Sequence, residues 1–143
     1  MSQKTKKLVI DCSVTLAWYL EDEKTNFTEA VLNRLSEFEV LVPPLWRIEF
    51  TNAMLMACKR RRISEEWLEK SLNHANQLPF RFEENANPMF SLAKVAIQYK
   101  LTAYDATYLA LAKNEKCVLV SLDKALISAA KEANIKLINW DEL

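Results

Sequence analysis

Residues 117–123 of this chain read Cys-Val-Leu-Val-Ser-Leu-Asp, and this stretch decides the fold class. Its apolar, β-branched run predicts a buried strand over Cys117–Leu122, which leads to the acidic residue Asp123. The residues that follow, from Lys124 to about Ala133, have the apolar spacing of a helix. A buried strand, then an acid, then a helix is an arrangement typical of parallel α/β sheets.

The same order occurs at the start of the chain, where Leu8–Ile10 predicts a strand and an acid follows it. Val40–Val42 and Pro79–Glu83 predict two more strands, and a last strand is predicted at Lys136–Ile138. Segments with helical spacing separate these strands along the chain. The alternation predicts an α/β fold with a mainly parallel sheet and helices on both of its faces.

Helix starts are marked by residues that cap helices well. Thr25, Ser64 and Thr102 each stand before a segment with helical spacing, and Asn87–Pro88 has the form of a cap followed by a first-turn proline. Pro43–Pro44 ends the strand before it and fits the entry to a helix. These signals predict where the connecting helices begin.

Length and composition limit the kind of protein. The chain has 143 residues, of which 50% are hydrophobic, and this predicts a single domain spanning residues 1–143. Its longest apolar runs have the length of strands, so no membrane span is expected. Met1–Lys7 is basic, but only a short apolar run follows it, unlike a signal peptide. We therefore expect a soluble, cytoplasmic protein that does not bind membranes.

The chain contains no glycine, and this excludes several kinds of site. The phosphate-binding loop of nucleotide hydrolases, the dinucleotide fingerprint and the serine-hydrolase elbow all require glycine. The formal net charge is zero, so a polyanion would have to bind to a local basic patch. The single histidine, His74, lies in a polar helical segment and is interpreted as a surface residue.

Acidic side chains are expected to meet at one edge of the sheet. Asp11 and Asp123 follow predicted strands, and parallel strands bring their carboxyl ends to the same edge. Glu49 and Asp105 lie early in helices that start at that edge. Two carboxylates about 4 Å apart repel by roughly 4 kcal/mol at an effective dielectric of about 20, so such a group recruits protons or a cation. The pattern therefore predicts a site for Mg²⁺ or Mn²⁺ and hydrolytic chemistry on phosphates.

Each acid also has a structural interpretation. Asp11 is a common kind of turn residue, Asp123 can cap the next helix, and Asp105 has capping-box spacing from Thr102. Glu49 differs, because its helical neighbours are mostly apolar and place it on an inward face. A buried glutamate is costly without a partner or a ligand.

The sequence leaves the functions of two groups of side chains undecided. Arg47 is a local candidate for phosphate contact, and the run Lys59, Arg60, Arg61 and Arg62 is either a solvated helix terminus or an RNA-binding patch. The aromatic residues Tyr104 and Tyr108 occur among apolar residues at helical spacing. We interpret them as core or dimer packing rather than as base-stacking residues.

Four segments, spread over most of the chain, are Val-Ile-Asp-Cys-Ser-Val at 9–14, Pro-Pro-Leu-Trp-Arg-Ile-Glu-Phe-Thr-Asn-Ala at 43–53, Leu-Thr-Ala-Tyr-Asp-Ala-Thr-Tyr-Leu-Ala at 101–110 and Leu-Val-Ser-Leu-Asp at 119–123. Together they resemble the PIN domain family and its VapC-type toxins. The resemblance implies an α/β/α sandwich of three layers with four to five strands. It also implies a Mg²⁺- or Mn²⁺-dependent endoribonuclease, a homodimer and a cognate antitoxin partner.

The resemblance also implies roles for individual residues. Some members have a further acid shortly after the fourth one, and this chain has Ala125 there. The family's acidic quartet, which is catalytic and binds the metal, corresponds to Asp11, Glu49, Asp105 and Asp123; Ser13 and Ser121 match its supporting hydroxyls, and Asn52 is a further expected supporting residue.

Two other functions stay open at this stage. A haloacid-dehalogenase-like phosphatase would use Asp11 as a covalent nucleophile, but Ser13 stands where that family has a second aspartate. A PIN-like binding module would grip RNA or a partner protein and cleave poorly. Trapping a phosphorylated Asp11 would support the first function, and Mn²⁺ binding without RNA cleavage would support the second.

Overall fold

The computed structural model describes residues 6–84 and 87–138, so the basic residues 1–5 lie outside it. In this part of the chain, strands and helices alternate much as the sequence predicts. Two short 3₁₀ turns, Glu21–Glu23 and Leu35–Glu37, flank the second helix. The strands are β1 (Lys6–Ile10), β2 (Phe38–Val42), β3 (Phe80–Phe82) and β4 (Val118–Val120); the helices are α1 (Cys12–Ala17), α2 (Asn26–Asn33), α3 (Leu45–Lys59), α4 (Glu65–Ala75), α5 (Met89–Tyr99), α6 (Ala103–Glu115) and α7 (Lys124–Glu132).

The four strands form one parallel sheet in the order β3-β2-β1-β4. Leu8 at the centre pairs with Val40 on one side and Val118 on the other. Successive residues of a strand face opposite sides, and Leu8, Val9 and Ile10 are all fully buried. Helices therefore cover both faces, which confirms the predicted three-layer α/β/α architecture.

The helices pack in two groups. Helix α1 contacts α3, and α3 contacts α4, whereas α6 contacts α5, α7 and the strands β1 and β4. The most buried helix is α6, where Tyr108, Leu109 and Leu111 are almost fully enclosed. Within residues 6–84 and 87–138, every helix is too short or too polar to cross a bilayer.

Three predicted strands are shorter in the structure, and the one predicted at Pro79–Glu83 spans Phe80–Phe82. The strand predicted at Cys117–Leu122 ends at Val120, and the Leu122 amide instead donates a hydrogen bond to Ser13 Oγ at 3.0 Å. The strand predicted at Lys136–Ile138 is reduced to one parallel bridge between Leu119 and Leu137. Over residues 6–84 and 87–138 the sheet therefore has four strands, at the lower end of the predicted number.

Three of the predicted caps are confirmed. The side chains of Thr25, Ser64 and Thr102 each accept a hydrogen bond from the amide three residues on. The prediction for Asn87–Pro88 is wrong, because α5 begins one residue later and Pro88 itself is the cap residue. Proline has no side-chain acceptor, so α5 starts without a side-chain hydrogen bond.

Candidate active site

Asp11 lies at the carboxyl end of the central strand β1 and is buried, with 5% of its surface exposed. Its amide donates to the Val120 carbonyl of β4 at 3.1 Å, which holds the backbone against the neighbouring strand. Both carboxylate oxygens accept hydrogen bonds at 2.6 Å, Oδ1 from Ser13 Oγ and Oδ2 from Ser121 Oγ. Both serine hydroxyls therefore contact the Asp11 carboxylate directly.

The environment of Asp11 changes its protonation. Burial raises the pKa of Asp11 to about 6, because the charged carboxylate loses its hydration. The hydrogen bonds from Ser121 and Ser13 act in the opposite direction, since they stabilise the charged form, and the nearby Asp105 carboxylate raises this pKa again. Keeping this buried carboxyl ionised costs free energy, and a bound cation would offset that cost.

Asp123 lies three residues beyond the end of β4 and caps α7. Its Oδ2 accepts a hydrogen bond from the Leu126 amide at 2.9 Å, so the capping interpretation is confirmed. The Asp123 amide donates to Ser121 Oγ at 2.9 Å, and the same hydroxyl donates to Asp11. Ser121 thus links the backbone of one acid to the carboxylate of another.

Glu49 lies in the second turn of α3 and is half-buried, as its apolar neighbours predict. Its Oε1 accepts a hydrogen bond from the Tyr108 hydroxyl of α6 at 2.5 Å. Burial raises the pKa of Glu49, the Tyr108 hydrogen bond lowers it, and the Asp105 charge raises it. Burial, the hydrogen bond to Glu49 and its negative charge raise the pKa of Tyr108, so its hydroxyl stays protonated as a donor.

Asp105 lies in the first turn of α6 and connects the other acids electrostatically. Burial raises its pKa first, and the charge of Asp123 raises it further, while a hydrogen bond with Thr102 lowers it. Its own charge in turn raises the pKa values of Asp11 and Glu49. Asp105 therefore places the four acids, which lie after β1, in α3, in α6 and at the start of α7, in one electrostatic environment, because its charge interacts with each of the other three.

The donor set fits a hard divalent cation in its chemistry, because carboxylate oxygens are the ligands of Mg²⁺ and Mn²⁺. Among the described residues, however, no group of three or more Asp, Glu, His or Cys side chains is close enough to hold a metal ion. Asp11 points to two serines, Glu49 to Tyr108 and Asp123 to the start of α7. The acids thus share an environment without forming a finished coordination sphere.

The remaining predicted residues lie at the surface. Asn52 is exposed on α3, and no hydrogen bond joins it to Glu49 in the described part of the chain. The Arg47 guanidinium lies over the ring of Phe82, 4.4 Å from its centroid, and borders a cavity of about 260 Å³ between α3, α4 and β3. None of the four acids borders that cavity.

The basic run at the end of α3 divides into two parts. Arg62 donates to the carboxylates of Asp22 and Glu23 at 2.8 to 2.9 Å and so anchors the first 3₁₀ turn. Lys59, Arg60 and Arg61 are exposed and carry the charge that a polyanion would meet.

Sequence reasoning missed the polar role of Tyr108. We predicted packing for this residue, and it is indeed 1% exposed, but its hydroxyl also holds Glu49. The available signal is its position three residues after Asp105, which places both side chains on one face of a helix. His74 is exposed as predicted, and its Nδ1 lies 2.7 Å from the Tyr19 hydroxyl.

Solved structures share this fold at low sequence identity. PAE2754 from Pyrobaculum aerophilum matches with a TM-score of 0.64 and 22% identity over 87% of this chain and 84% of that one. VapBC2 from Rickettsia felis, bound to a DNA fragment from the promoter, has a TM-score of 0.67 and 11% identity over 94% and 99% of the two chains. FitAcB from Neisseria gonorrhoeae has a TM-score of 0.62 and 14% identity over 95% and 99%.

Sequence comparison gives a more specific result. No curated protein sequence matches the chain. The profile of the PIN domain, in contrast, matches residues 8–133, a range that contains all four acids with their supporting serines. Because the match covers most of the 143 residues, this chain belongs to the PIN domain family, a family of nucleases.

Proposed function

We propose that this protein is a Mg²⁺- or Mn²⁺-dependent endoribonuclease that hydrolyses RNA phosphodiester bonds. The observation that carries the proposal is the shared environment of Asp11, Glu49, Asp105 and Asp123 in a PIN fold. Three of these carboxyls have raised pKa values, and burial is the main cause for each. A divalent cation would relieve their desolvation and mutual repulsion together.

The four acids would hold the cation, and their positions after β1, early in α3 and α6 and at the start of α7 support this assignment. When bound, the ion supplies a water of lowered pKa and neutralises charge on the leaving oxygen. Ser13 and Ser121 keep the Asp11 carboxylate in one orientation, and Tyr108 does the same for Glu49. Because water attacks instead of the ribose 2′-hydroxyl, the products carry 5′-phosphate and 3′-hydroxyl ends.

Basic side chains outside the acidic group would contact the RNA backbone. Lys59, Arg60 and Arg61 are exposed and fit this role, and Arg47 lies on the same helix as Glu49. Arg62 would contribute less, because Asp22 and Glu23 already neutralise it. Phosphate contacts of this kind give affinity that decreases with salt and carries little sequence information.

The cleavage test uses purified protein, end-labelled RNA and Mn²⁺. Cleavage should stop with EDTA, return with added Mn²⁺ and fall at least 100-fold in Asp11→Asn. Glu66→Gln is the matched control, because Glu66 is exposed and pairs with Lys70 on the surface of α4. Cleavage that persists in EDTA, or that Asp11→Asn retains, would contradict the proposal. Treating the products with phosphatase and ligase identifies their ends.

The second part of the proposal is that the protein is a cytoplasmic toxin, forms a homodimer and is neutralised by an antitoxin. The structures that share the fold support this assignment, because they are named as the complexes VapBC2 and FitAcB. Helix α5 exposes Met89, Phe90 and Ile97, an apolar surface of the kind that a dimer covers. Light scattering of the wild type and of Ile97→Lys tests the dimer. Co-expression with the product of the neighbouring reading frame tests whether growth arrest is relieved.

One observation favours a second candidate, a PIN domain that binds RNA and cleaves poorly. As placed, no three acidic, histidine or cysteine side chains of the described residues could hold a metal ion. Calorimetry distinguishes the two candidates, because a weak enzyme would bind RNA yet leave it uncut at saturating Mn²⁺. The phosphatase alternative loses support, since the chain belongs to the PIN domain family and Ser13 holds Asp11 by a hydrogen bond.

A further inference from the structure

The hydroxyl of Tyr108 lies in the core but has a carboxylate as its partner. The residue is 1% exposed, and its ring is surrounded by the apolar side chains of the main core cluster. A phenylalanine would fill the same space, so the hydroxyl is the part of this side chain that needs an explanation. Its hydrogen bond to Glu49 Oε1 is 2.5 Å long and joins residues 59 positions apart.

The location of this hydrogen bond ties it to the acidic group. Tyr108 lies one helical turn after Asp105 on α6, so the same helix supplies one acid and the donor that holds another. Hydrogen bonds to an ionised carboxylate are shorter and stronger than neutral ones. The bond involves only Oε1 of Glu49, which leaves Oε2 outside it. The glutamate side chain, which is long and rotatable in solution, is thereby held in one orientation.

We propose that Tyr108 is a positioning residue, whose hydroxyl fixes the Glu49 carboxylate in the orientation that lets it bind a divalent cation together with Asp105. This inference rests on the proposed function, since it concerns the same acids. It adds Tyr108 to the candidate metal site as a functional residue, a role that neither the acidic motif nor the packing of the core indicates. Tyr108 acts only through Glu49 and needs no contact with RNA.

The test is Tyr108→Phe, which removes one oxygen and keeps the ring. Groups that orient metal ligands typically change metal affinity by about 10- to 100-fold when they are removed. We expect calorimetry without RNA to show Mn²⁺ binding at least 10-fold weaker than in the wild type. In cleavage assays, the Mn²⁺ concentration for half-maximal rate should rise by the same factor. The rate at saturating Mn²⁺ should change much less.

Three further variants separate positioning from packing. Tyr104→Phe is the matched control, because Tyr104 lies one turn earlier on α6 and is 60% exposed. Its Mn²⁺ affinity should equal that of the wild type. In Glu49→Gln, adding Tyr108→Phe should weaken Mn²⁺ binding no further, since the hydroxyl acts through the missing carboxylate. Circular dichroism and thermal melts of all variants report on folding separately from metal binding.

Each outcome decides the inference. Unchanged Mn²⁺ affinity in Tyr108→Phe, or an equal loss of affinity with and without Glu49→Gln, would show that the hydroxyl serves the core alone. A wild type that binds Mn²⁺ but cuts no RNA would end the proposed nuclease function, and weaker binding by Tyr108→Phe would still support the role of Tyr108. A wild type that does not bind Mn²⁺ would overturn both.

Discussion

Ser121 Oγ donates a hydrogen bond of 2.6 Å to Asp11 Oδ2 and thereby joins the ends of two neighbouring parallel strands. The same oxygen accepts the Asp123 amide at 2.9 Å. Both residues of the pair are buried, so this small polar network lies inside the protein and has little access to water. Buried networks of this kind specify one arrangement when every member has a partner.

Removing the Ser121 hydroxyl should therefore destabilise the protein. Ser121→Ala takes a donor from a buried carboxylate and an acceptor from a backbone amide, which should lower the free energy of unfolding by about 1–3 kcal/mol. Urea titration at pH 7 measures the change. Ser128→Ala is the control, because Ser128 is exposed on α7. A Ser121→Ala curve that overlays the control would show that the network contributes no stability.

Asp11 should make stability depend on pH. Its pKa is raised from 3.8 to about 6, so the folded state binds the proton more tightly than the unfolded state. The stabilisation from this proton is complete below about pH 4 and is lost as pH rises through about 6. Since one pKa unit corresponds to about 1.4 kcal/mol, the loss is on the order of 3 kcal/mol.

Asp11→Asn isolates this contribution, because the amide does not titrate. Without metal, the variant should match the wild type near pH 4 and become the more stable protein near pH 7. Urea titrations between pH 4 and 7.5 with EDTA measure the difference. Parallel pH profiles of the two proteins would contradict a raised Asp11 pKa.

Mn²⁺ should stabilise the folded protein through the acidic group. A ligand at 100 times its dissociation constant adds about 2.7 kcal/mol to the free energy of unfolding. Asp105→Asn should remove most of this gain, because the charge of Asp105 acts on both Asp11 and Glu49. The variant should also melt higher than the wild type in EDTA, since it has less repulsion. Thermal melts with and without Mn²⁺ measure both effects, and Glu66→Gln should behave like the wild type.

The hydrogen bond between Trp46 and Thr15 should contribute to stability independently of metal. Trp46 Nε1 donates to Thr15 Oγ1 at 2.9 Å, and both side chains are buried. Thr15→Val keeps the shape but leaves the indole donor without a partner, at a cost of about 1–3 kcal/mol. Thr51→Val is the control, because Thr51 is exposed and its hydroxyl donates to the Arg47 carbonyl of the same helix. Equal urea midpoints for the two variants would refute this expectation.

Much of the fold could be predicted because its signals are local. Apolar runs such as Leu8–Ile10 predict buried strands, and caps such as Thr102 act over three residues. The ends of strands were harder to predict. Leu122, for example, is apolar and continues the pattern of the strand before it. Its amide leaves the sheet because Ser13, 109 positions earlier, offers an acceptor there. No local pattern contains that information.

The candidate site also has some features that the sequence predicts and others that only the tertiary structure shows. The order of strands, acids and helices along the sequence by itself determined that Asp11 and Asp123 follow strands of a parallel sheet and lie at the same edge, whereas the pairing of those two strands is seen only in the structure. Only the tertiary structure decided that Tyr108 holds Glu49 and that Asp105 raises the pKa values of two other acids. The physical reason is how far apart along the sequence the interacting residues lie. The apolar spacing of a strand or helix and the capping of a helix involve residues a few positions apart. Side-chain contacts between distant elements depend instead on how each helix is rotated against its neighbours.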